Sequence, residues 1–195
     1  MRSSPTQKQI EAFELTTERF QSFLNTNQEI FSEINSSPYG FIIFCSFLVT
    51  AAYAPSRIFF PNAQVERDEA DTEAFRQIVA QSIINSLSGR HDKTLNLSEE
   101  EKNRQASEIE RQVVYLLRQQ YTRYYGCFQR DVSKLAEDQT NPYAELSESF
   151  LSDVLGLENT SEVYLLKAKL SLGLFLSTTI SGLMNFFGGQ ESTER

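Results

Sequence analysis

Leu170 to Phe187 reads LSLGLFLSTTISGLMNFF, a stretch without a charged residue in a chain of formal net charge -8. Three settings suit such a run: a bilayer, the core of a helical bundle, or the seam of an assembly. Its pattern separates them. On a helical projection of about 100° per residue, Phe175, Phe186, Leu172, Leu183, Leu176, Phe187, Ile180 and Met184 fall on one half of the circumference. The other half carries Ser177, Ser181, Asn185, Thr178, Ser171 and Gly182, interrupted by Leu170 and Leu174. Gly173, Ser177 and Ser181 recur every fourth residue, a row of small side chains that suits close contact with another helix.

Length weighs against a bilayer. Eighteen helical residues span about 27 Å, short of a hydrocarbon core of about 30 Å. Lys167 and Lys169 precede the run and Gly188 and Gly189 follow it. The expectation is a helix buried in a bundle. The alternatives are a membrane anchor over 170–187 and an oligomer seam.

Outward from this segment, helical periodicity continues almost throughout. Ser4, Pro5 and Gln7 form a capping pattern at the start. Ile10, Phe13, Phe20, Leu24, Phe31 and Ile34 then fit a heptad whose gaps are filled by Thr17 and Asn27, with Phe23 and Ile30 widening the stripe. Thr26 and Glu29 offer a restart, which would divide this region into two helices.

Pro38 opens an apolar helix over 39–54, expected to be buried and to end before Pro55, with SRIFFPNA as an irregular connection. A further stripe from Phe75 to Leu87 stops at Gly89, and a polar loop containing His91 follows. Ser98 and Glu101 cap a long helix, expected over about 99–137 and kinked at Gly126. Asn141-Pro142 and Asn159 with Glu162 open the last two helices. The fold predicted is all-α: one bundle of about six or seven helices over 1–189, with a disordered tail at 190–195. No alternating strand pattern and no internal repeat interrupts it.

Composition narrows the function. At 195 residues and 40% hydrophobic content the chain can bury a core, and its mean hydropathy of -0.37 is that of a soluble protein. MRSSPTQKQIEAFELTTER lacks the apolar region of a secretory signal peptide. Cys45 and Cys127 are expected as free thiols in a cytoplasmic protein. The single histidine, His91, excludes metal sites built on several histidines. The chain contains no Walker or G-x-G-x-x-G spacing. The acids from Glu66 to Glu73 read as a helix N-terminus complementing the macrodipole rather than a metal site. No cofactor, metal or catalytic residue is therefore expected, and the acidic balance argues against nucleic-acid binding.

Charge is nonetheless uneven. Residues 111–134 carry Arg111, Arg118, Arg123, Arg130 and Lys134 against Asp131 alone, a local balance of +4. Arg118 and Arg123 have no acid three or four residues away, and Tyr115, Tyr121, Tyr124 and Tyr125 lie among them. Arginine with tyrosine suits an acidic protein surface or an anionic ligand. It equally suits pairing with acidic helices of the same fold. Arg111, Arg118, Tyr121, Arg123, Tyr124 and Arg130 are the candidate partner- or anion-binding residues.

The function expected is non-enzymatic: a helical protein that binds another protein or itself. The alternatives are a membrane-associated protein anchored through 170–187 and a bundle enclosing an apolar or anionic ligand.

Overall fold

A computed structural model describes residues 7–28, 38–59, 98–135, 142–155 and 162–188, and these are helical. The five helices are α1 (Gln7–Thr26), α2 (Pro38–Phe59), α3 (Glu99–Lys134), α4 (Ala144–Leu155) and α5 (Glu162–Gly188). The helix expected near Phe75 to Leu87, the His91 loop, the acidic run and the C-terminal tail lie outside the described residues.

α2 is the centre, packed against each of the other four helices. Every residue from Ile42 to Pro55 is buried, while Tyr39 at the start is exposed. Two features differ from the 39–54 expectation. Tyr39 is exposed and Gly40 half-buried rather than buried, and the helix does not end before Pro55 but continues to Phe59. A proline inside a helix lacks an N–H to donate and costs about 3 kcal/mol. Here the loss is offset by packing: Ile58 and Phe59 join the core, and the Phe59 ring meets Phe128 edge-on at 6.5 Å. Tertiary burial overrides the local stop signal.

The core is aromatic. Phe20 of α1 lies 5.3 Å from Phe44, 5.7 Å from Phe47, 6.1 Å from Phe150 and 5.3 Å from Phe175, ring centre to ring centre. Phe47 stacks on Phe150 at 4.1 Å, and Tyr124 of α3 closes on Phe47 edge-to-face at 6.1 Å. One ring cluster thus joins all five helices. A second cluster joins α2 to α3 through Ile42, Cys45, Val49 and Tyr53 against Val113, Leu117 and Tyr121.

α1 presents a stripe rotated from the heptad. Ala12, Thr16, Phe20, Phe23 and Asn27 are buried, whereas Thr17 is exposed and Phe13 and Leu24 are half-buried. Thr16 is accommodated because its hydroxyl donates to the Ala12 carbonyl at 2.7 Å, and Asn27 donates to Phe23 O at 2.8 Å. Buried hydroxyl and amide groups so satisfied cost little.

α3 begins as its sequence dictates. Ser98 is the N-cap, and the reciprocal Ser98–Glu101 capping box is complete. The helix passes through Gly126 without interruption and ends at Lys134, three residues short of the 99–137 expectation, with Leu135 as its C-cap. Its 36 residues make a rod of about 54 Å.

Candidate interaction surface

The Arg/Tyr segment of α3 divides along its length. At the N-terminal end Arg111 pairs with Glu108 one turn away at 3.6 Å, both side chains exposed. Arg118 is also exposed. Tyr121 faces inward, stacked on Tyr125 at 5.9 Å, and Arg57 of α2 donates to its hydroxyl at 3.5 Å. The Arg57 guanidinium lies over the Tyr125 ring at 5.2 Å, a cation–π contact that ties α2 to α3.

Toward its C-terminus α3 docks α4 through charge. Tyr124 is fully buried and donates to Asp153 Oδ2 at 2.5 Å. Arg123 pairs with the same carboxylate and covers the Tyr124 ring at 5.1 Å. Burial pushes the Tyr124 hydroxyl well above its ordinary range, against the pull of the Arg123 charge. Arg130 Nε and Lys134 Nζ clasp the two oxygens of Glu145 at 2.5 and 2.6 Å. These hydrogen bonds, Lys134 first, hold the Glu145 carboxyl below its usual value.

Asp131, itself buried, accepts the backbone N–H groups of Glu145 and Leu146 at 3.0 and 2.9 Å. A side chain of α3 thereby caps the start of α4. Burial raises its pKa, opposed by those two hydrogen bonds.

Arg123, Tyr124 and Arg130 therefore converge on α4, while Arg111 and Arg118 stay at the surface. Pairing between α3 and α4 was visible in the sequence only as a surplus of charge. Asp153 and Glu145 lie far beyond the three- or four-residue spacing at which helical neighbours can be recognised. Cys127 is buried beside this seam, accepting from Arg130 Nη2 at 3.4 Å. Burial pushes the Cys45 thiol up to about 12.

α5 packs on α1, α2 and α4. Its inner face carries Ala168, Leu172, Phe175, Leu176, Ile180 and Leu183, all buried. Lys169 fixes its flank to Glu148 of α4 at 2.7 Å. In the small-residue row, Gly173 is buried, Ser177 half-buried and Ser181 exposed. The tightest approach lies one residue further on. A Cβ added at Gly182 would come within 2.8 Å of the Arg19 guanidinium, which donates to the Thr178 carbonyl.

The outer face of α5 is the feature that packing leaves without an account. Val163 is 77% exposed, Leu166 59%, Leu170 58% and Leu174 65%. They lie three or four residues apart, in one stripe along the helix. The stripe continues into Thr178, Ser181 and Asn185, all exposed. The sequence held the signal in Leu170 and Leu174, the two leucines that interrupt the polar half of the projection.

Among the described residues, two helical windows have the length and composition of a membrane span. Ile42–Phe59 has mean hydropathy 1.6 and is 82% buried in the fold, and Glu162–Phe186 has 1.3 and is 39% buried. An open groove of about 720 Å³ borders the outer side of α1, along Phe13, Glu14, Thr17, Glu18 and Gln21. Among the described residues no three His, Cys, Asp or Glu side chains gather as metal ligands would.

No protein-family model, curated protein or solved structure matches this chain.

Proposed function

We propose that this chain is a non-enzymatic, cytoplasmic interaction protein that docks another helix on the outer face of α5. The observation that carries the reading is the stripe Val163, Leu166, Leu170 and Leu174, exposed over about three turns on a helix whose opposite face belongs to the core. Contiguous apolar patches on soluble proteins mark interaction sites, and complete burial of each such side chain contributes about 1.5–3 kcal/mol. A rigid helix presenting aliphatic anchors at three- and four-residue spacing suits helix-to-helix recognition. The exposed Arg111 and Arg118 on α3 provide a second, polar surface for an acidic partner. The reading takes the whole chain as one domain of six or seven helices and requires no metal or cofactor.

Affinity capture from lysate with the full chain as bait tests this, comparing the native protein with a Leu166→Glu/Leu170→Glu form. The double variant is expected to lose most retained partners while keeping its helical circular dichroism. Unchanged retention by the folded variant would sink the reading.

A second reading has support in the length and hydropathy of the Glu162–Phe186 window: α5 lies on or in a bilayer. Thr178, Ser181 and Asn185 on the same outer face weigh against it, since each polar group would enter hydrocarbon. Full recovery in the soluble fraction without detergent removes this reading.

A further inference from the structure

We draw no further inference here: the strongest candidate, the exposed apolar stripe of Val163, Leu166, Leu170 and Leu174 along the outer face of α5, carries nothing beyond the reading above, because nothing in the structure shows what covers it.

Discussion

α2 and α5 carry similar apolar loads and meet opposite fates. Their most hydrophobic windows have mean hydropathy 1.6 and 1.3, yet one is 82% buried and the other 39%. α2 is enclosed by four helices, so apolar residues on its whole circumference find neighbours. Among the described residues α5 packs on three helices and uses one face for them, which leaves a second apolar stripe outside. Average hydropathy reports how much apolar surface a helix has. Only the count and placement of neighbours decides how much of it is hidden.

The sharpest way to break this comparison is to truncate one large side chain on each helix. Phe47→Ala removes the ring that stacks on Phe150 at the meeting point of the bundle and should destabilise the fold by about 3–5 kcal/mol. Leu174→Ser, on the exposed stripe, should change monomer stability by less than about 0.5 kcal/mol. Urea denaturation of dilute protein measures both. Equal losses would mean that the outer face of α5 is already covered within one chain.

A smaller effect is expected at the polar seam, where Asp131 of α3 caps the start of α4. Asp131→Ala leaves the N–H groups of Glu145 and Leu146 without their acceptor and should cost about 1–3 kcal/mol. The same denaturation curves read it, and Asp131→Asn should recover part of the loss.

The smallest effect is a dependence on pH. The folded-state pKa of Glu145 is lowered from 4.5 by Lys134 and Arg130, so its contribution is present above about pH 4.5 and is lost as pH falls through the lowered value. Asp131 opposes this. Its pKa is raised from 3.8, so its charged form weighs against the fold as pH rises through the interval above that value. Glu145→Gln should therefore flatten the fall in stability below pH 4.5, measured as the urea midpoint against pH. An unchanged acid limb would show that the Arg130–Glu145–Lys134 clasp contributes nothing measurable.

Much of this was legible residue by residue. The inner face of α5 follows the projection of Leu172, Phe175, Leu176, Ile180 and Leu183, because a helix must turn its broadest apolar stripe to the core. The Ser98–Glu101 box fixed the start of α3, since two side chains three residues apart satisfy each other's backbone donors.

Other elements were not legible. The heptad on α1 missed Ala12 and Thr16, because a small or hydroxylated residue is buried when its neighbours leave room and its own helix accepts its hydrogen bond. Pro55 read as a stop, because its local cost is visible in sequence while the packing of Ile58 and Phe59 is not. In the candidate site, the arginine surplus was visible but its destination was not. Arg123 and Arg130 were both open to a partner until α4 brought Asp153 and Glu145 to them.

The sequence alone determined that this chain is helical, where several helices begin, and which face of each is apolar. Those are consequences of short-range periodicity and capping chemistry, which act within a turn or two. The tertiary structure decided which apolar faces find neighbours and which arginines find acids, because burial and ion pairing depend on residues more than a helical turn or two apart in sequence. Leu166, Leu170 and Leu174 show the division most plainly. Their spacing was written in the chain, but their exposure follows from α5 taking a place at the edge of the bundle.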